Sequence, residues 1–94
     1  MINENDLEYI KAKILFALAR KNKWLHAHTP FTNIIKWVRI KQDGKLLKKV
    51  VKELRKEGLI LIKPTHYGEE VSLNVYQKGR ILDIIKKYFP EEIK

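Results

Sequence analysis

The sequence predicts a small α+β domain, mostly α, with its elements in the order helix, helix, helix, β-hairpin, helix. Three observations predict it. Apolar residues recur at helical spacing in four separate stretches. One stretch, from Leu59 to Gln77, changes to strand-like runs and alternation around a turn-forming HYGEE. The length of 94 residues is enough for one core and not for two, so residues 1–94 are read as a single domain.

The first helix starts with Asn5 or Asp6 as N-cap and runs to about Lys21. Leu7, Ile10, Ile14, Leu15 and Leu18 supply its apolar face. KNKWLHAH reads as a connector. Thr29 followed by Pro30 is a start signal for the second helix, with proline at the first helical position. Phe31, Ile34, Ile35 and Val38 form the buried side of that helix. Asp43 and Gly44 mark a turn before the third helix, residues 44–57, which Gly58 stops. LILIKPT is a strand whose Pro64 suits an edge position. In VSLNVYQ, Val71, Leu73 and Val75 face one way and Ser72, Asn74 and Tyr76 the other. The last helix runs from Lys78 to Phe89 and ends at Pro90.

The net charge of +9 is unevenly placed. Residues 1–8 hold three acids and no base, residues 9–63 hold fifteen Lys/Arg against three acids, and residues 64–94 balance at five of each. The excess therefore sits mid-chain, and a concentrated basic block expects an acidic partner, most commonly nucleic acid. No apolar run of about 18 residues occurs, so no membrane span is expected. The acidic, polar start MINENDLEYI does not suit a signal peptide, which makes the cytoplasm the default compartment. The chain has no cysteine, which removes disulfides and thiol chemistry.

The third helix concentrates the charge. At about 100° per residue, Leu46, Leu47, Val50, Val51 and Leu54 share one arc. Lys45, Lys48, Lys49, Lys52, Arg55 and Lys56 share the opposite arc, and Glu53 and Glu57 lie together at one border. A charge run is by default a solvated face, but such faces usually intersperse Glu among Lys to gain i,i+4 pairs. Crowded lysines repel one another in the free protein, and phosphates relieve that repulsion in a complex.

A turn, the helix KLLKKVVKELRKEGLI, a hairpin and VYQKGRILDIIKK together resemble a winged helix-turn-helix domain, most closely the small prokaryotic MarR, PadR and ArsR types of regulator. Leu54, Gly58, Leu59 and Ile60 match the end of the recognition helix in those families. Tyr76, Gln77, Lys78, Gly79 and Arg80 match the return from the wing into a helix. The resemblance implies that helix 44–57 lies in the major groove of double-stranded DNA and that a wing, 59–76, rests on the backbone. It implies that Gln42, Lys45, Lys48, Lys49 and Lys52 approach DNA. Lys63, His66 and Tyr67 would reach the adjacent backbone or minor groove from the wing tip, and Thr29 and Thr32 would contact a phosphate. The sequence departs from these families where bases are read. Its outward positions are almost all lysines, point charges without a bidentate fork, and only Gln42, Arg39 and Arg55 offer directional readout. Phosphate grip with limited sequence discrimination is the expectation.

Other signals are weaker. His26, His28 and His66 lack a carboxylate or thiol cluster, so a metal is not expected. No P-loop, GxGxxG, HExxH or paired-carboxylate motif occurs, so neither catalysis nor a cofactor is called for. Trp24 and Trp37 read as core or interface residues, with base stacking as the alternative. The last helix carries Ile81, Leu82, Ile84, Ile85, Tyr88 and Phe89, more apolar surface than packing on one side needs. That excess suggests a homodimer through the first and last helices, with two recognition helices about one DNA turn apart. The competing function is a winged-helix subunit that joins a larger protein assembly.

Overall fold

The computed structural model describes residues 7–38 and 44–90. Its elements are α1 (Leu7–Arg20), a short strand β1 (Thr29–Pro30), α2 (Phe31–Val38), α3 (Gly44–Lys56), β2 (Ile60–Thr65), β3 (Gly68–Leu73), a 3-10 turn (Val75–Gln77) and α4 (Lys78–Tyr88). The class is α+β and mostly helical. The strands form one antiparallel sheet in the order β1-β3-β2. No described helix is long and apolar enough to cross a membrane.

α1 is the central post. It packs against α2, α3, α4 and β3 through Ile10, Ile14, Leu15 and Leu18, all fully buried. Ile34 and Val38 of α2, Leu47, Val50, Val51 and Leu54 of α3, Val71 and Leu73 of β3, and Ile81 and Ile85 of α4 complete one continuous core. Each such side chain contributes about 1.5–3 kcal/mol on burial, so this cluster is the main stabilising term. The apolar arc of α3 is therefore committed to the core, and its cationic arc faces outward.

Two helices end by the same device. After α3, the Gly58 N–H bonds to the Arg55 carbonyl at 2.9 Å and the Leu59 N–H to the Leu54 carbonyl at 3.0 Å. This is a Schellman closure, with Gly58 at φ +78°. After α1, Asn22 takes the glycine's place at φ +55°, and the Lys23 N–H bonds to the Leu18 carbonyl at 2.9 Å. Asparagine tolerates this left-handed geometry better than most residues.

Several elements differ from the sequence expectation. Pro30 does not open α2; it lies in β1, where Thr29 and Pro30 pair with Val71 and Glu70. That strand is at the sheet edge, where a missing N–H costs nothing. The second hairpin strand covers Gly68–Leu73, not residues 71–77. The Asn74 side chain accepts from the Tyr76 N–H and turns the chain into the 3-10 segment. The alternation therefore ends at Leu73, and Tyr76 projects into solvent. Ser72, expected on the outer face, is fully buried, because its hydroxyl donates to the Leu25 carbonyl at 2.8 Å. KNKWLHAH is more than a connector: Leu25 N–H and Lys23 carbonyl both bond to Leu73, which lays this segment over the end of β3. Leu7 and Ile35, expected on buried faces, are exposed. The Asn5/Asp6 cap and the Asp43 turn lie outside the described residues.

Lys11 ties α1 to the end of α3. Its Nζ lies 3.0 Å from Glu57 and 3.5 Å from Glu8, with the Lys11 side chain mostly covered. Burial pulls its pKa down, but the hydrogen bond and charge of Glu57, helped by Glu8, outweigh this and raise it. A raised lysine pKa stabilises the fold fully below the unfolded value, about 10.4, and that contribution is lost as pH rises through the folded value. Lys11→Met should thus cost about 1 kcal/mol at neutral pH. In urea titrations the difference from the parent should shrink progressively above about pH 10.4.

Candidate nucleic-acid interface

The outward side of α3 carries Lys45, Lys48, Lys49, Lys52, Arg55 and Lys56, all exposed. Lys56 pairs loosely with Glu53 at 3.8 Å. Lys45, Lys48, Lys49 and Lys52 form no ion pair with another described residue. Their charge is therefore directed at solvent, and at whatever anion solvent brings.

The hairpin turn is short and braced. Thr65 pairs with Gly68, leaving His66 and Tyr67 as the two turn residues. The Thr65 hydroxyl donates to the Gly68 carbonyl at 2.7 Å and accepts from the Tyr67 N–H at 3.2 Å. Gly68 sits at φ +120°, a conformation open to glycine and costly for other residues. The brace leaves the Tyr67 side chain wholly exposed, 101% by area, so it has no role in the core. His66 and Lys63 are exposed beside it, with Lys63 opposite Glu70 across the ladder.

These parts converge. Pro30, Phe31 and Thr32 from the start of α2, Lys48 from α3, and Tyr67, Gly68 and Glu69 from the turn line one groove of about 220 Å³. Three residues singled out in the sequence, Thr32, Lys48 and Tyr67, thus share one concave surface although they are far apart in the chain. Glu69 is the unanticipated member. A carboxylate there repels phosphate locally and can accept from an amino group on a base edge. Nothing in a linear reading placed it in one groove with Lys48, because the pairing of β1 with β3 is what sets the hairpin beside the start of α2.

Other candidates lie elsewhere. Thr29 is 2% exposed, and its hydroxyl accepts from the Asn33 side chain at 3.0 Å, so it holds β1 to α2 and is not presented to a ligand. Gln42 and Arg39 lie outside the described residues. No group of three or more His, Cys, Asp or Glu side chains able to hold a metal comes together among the described residues. Trp24 and Trp37 are both half-buried against the core. Leu82, Ile84 and Tyr88 of α4 and the following Phe89 are partly covered within the monomer, Phe89 stacking on Phe16 with centroids 5.0 Å apart. The large apolar side chains that are exposed among the described residues, Leu7, Ile35, Leu61, Tyr67 and Tyr76, include none from α4.

The angle between α3 and the hairpin is set at residues 57–59. The Asn74 side chain donates to the Gly58 carbonyl at 2.8 Å, the Asn74 N–H bonds to the Leu59 carbonyl at 3.0 Å, and Arg80 reaches the Glu57 carbonyl at 3.3 Å. A Cβ at Gly58 would meet nothing within 4 Å, so Gly58→Ala is penalised by its positive φ alone. It should destabilise by about 1–2 kcal/mol in chemical denaturation. Gly79→Ala, in open space within α4 and at ordinary helical φ, should instead stabilise by up to about 1 kcal/mol.

No protein-family model, curated protein or solved structure matches the chain.

Proposed function

We propose that the chain is a DNA-binding protein of the winged helix-turn-helix kind, acting as a transcriptional regulator or a DNA-coating factor. In this reading α3 enters the major groove, the turn at His66 and Tyr67 braces the backbone, and the start of α2 meets a phosphate through Thr32. The observation that carries it is the groove in which Thr32, Lys48 and Tyr67 meet beside a row of outward lysines. Three helices, a hairpin and a closing helix in succession, with the short strand β1 added to the sheet, also suit a winged helix.

The recognition mode follows from the side chains. Lysines release counterions from the phosphates they neutralise, which produces steep salt dependence and little base discrimination. Dimerisation through α1 and α4 is a separate proposal. The apolar residues of α4 are largely covered in the monomer, so it would bury less new surface than the sequence suggested.

The test is fluorescence anisotropy with a promoter duplex and a random duplex across a salt series. Lys48→Ala with Lys49→Ala should lower affinity about tenfold or more on both duplexes equally, and flatten the salt slope by about two. Salt-insensitive binding, or normal binding by the double variant, would exclude this mechanism.

A further inference from the structure

A second cationic surface lies away from α3. The ends of α1 and α2 enclose a cleft of about 370 Å³ lined by Ala17, Arg20, Lys21, Lys36 and Trp37. Three of these five residues are cations and none is acidic. Arg20, Lys21 and Lys36 are exposed, and none forms an ion pair with another described residue. Lys21 Nζ sits 5.4 Å from the Trp37 ring centroid, and the Arg20 guanidinium 5.6 Å from that of Phe16. Ring faces orient the two cations without neutralising them. Attraction to a helix C-terminus accounts for a cation at each helix end. It does not account for three cations converging on a cleft walled by an indole, in a stretch, residues 9–38, that contains no acid at all.

The cleft and the groove beside α3 both draw on α2. Thr32 and Lys36 are both exposed and stand four residues apart on α2, so they share a face, with Cβ atoms about 5–6 Å apart. Thr32 lines the groove at the start of α2, and Lys36 lines the cleft at its end. One exposed helix face therefore runs from the groove beside the α3 lysines to the cationic cleft.

We infer that this cleft holds a backbone phosphate of the nucleic acid bound at α3, gripped by Arg20, Lys21 and Lys36, with the adjoining sugar lying against Trp37. The inference rests on the DNA-binding reading and extends its footprint along α2 by one phosphate. The guanidinium offers a planar fork to the phosphate, and the two ammonium groups add charge without geometric demand.

The experiment compares the parent chain, the variant carrying Arg20→Gln, Lys21→Gln and Lys36→Gln, and the Lys48→Ala, Lys49→Ala variant. Each is titrated into a random duplex across a salt series, with circular dichroism confirming that the helices are retained. The triple variant should bind more weakly, and its plot of log affinity against log salt should be shallower by about 0.9, the signature of one lost phosphate contact. An unchanged slope in the triple variant, while the Lys48/Lys49 variant is impaired, would overturn this inference alone. No duplex binding by the parent would overturn both it and the DNA-binding reading. A parallel titration with adenosine monophosphate, read by tryptophan emission, separates a strand phosphate from a free one. A response to the mononucleotide together with an unchanged duplex slope would assign the cleft to a free nucleotide and overturn the inference.

Discussion

The left-handed residue at Gly58 is the constraint on which the arrangement of this domain depends. By closing α3 at Lys56 it sends Leu59 and Ile60 back into the core, where the hairpin begins. The same three residues, 57 to 59, receive two bonds from Asn74 as the chain leaves the hairpin, one from Arg80 as α4 begins, and the Lys11 ion pair from α1. Helix, hairpin and closing helix are thus pinned at one point. The positions of Lys48 and Tyr67 on either side of a common groove are a consequence of that junction, since each sits on a rigid element leading away from it.

The chemistry that results is asymmetric. Apolar side chains of α3 are spent on the core, so the helix has only its cationic arc to offer a partner. Lysines on flexible stems neutralise phosphate well and discriminate bases poorly. Glu69 is the one acid lining the groove, and it disfavours a phosphate at its own position. The proposed complex is therefore held by many similar contacts, with selectivity left to Glu69, Arg55 and whatever Gln42 adds. A footprint that continues along α2 into the Arg20, Lys21 and Lys36 cleft fits the same logic, because it increases grip without adding reading.

Much of the fold was legible because it rests on local signals. The 3.6-residue spacing in α1, α3 and α4, the glycine stop at Gly58 and the proline after Phe89 all act within one or two turns of helix. What escaped notice depends on pairing between distant segments. β1 exists only because Val71 and Glu70 lie opposite Thr29 and Pro30. That same pairing buries Thr29 and sets β3 beside the start of α2, where Glu69 and Lys48 line one groove. The connector 21–28 looked featureless because its bonds go to Leu73, nearly fifty residues later. The α3 lysines were readable as a set, whereas the Arg20, Lys21, Lys36 and Trp37 cleft was invisible until α1 and α2 were packed together.

The most direct measurement is an amide chemical-shift titration of the isotopically labelled chain with duplex DNA at low salt. The largest shifts are expected at Thr32, Lys48, Lys52, Tyr67 and Gly68, while Asp83, Lys86 and Lys87 on the exposed side of α4 stay in place. Shifts concentrated on α4, or none along α3 and the hairpin turn, would contradict it and favour a protein-interaction subunit instead.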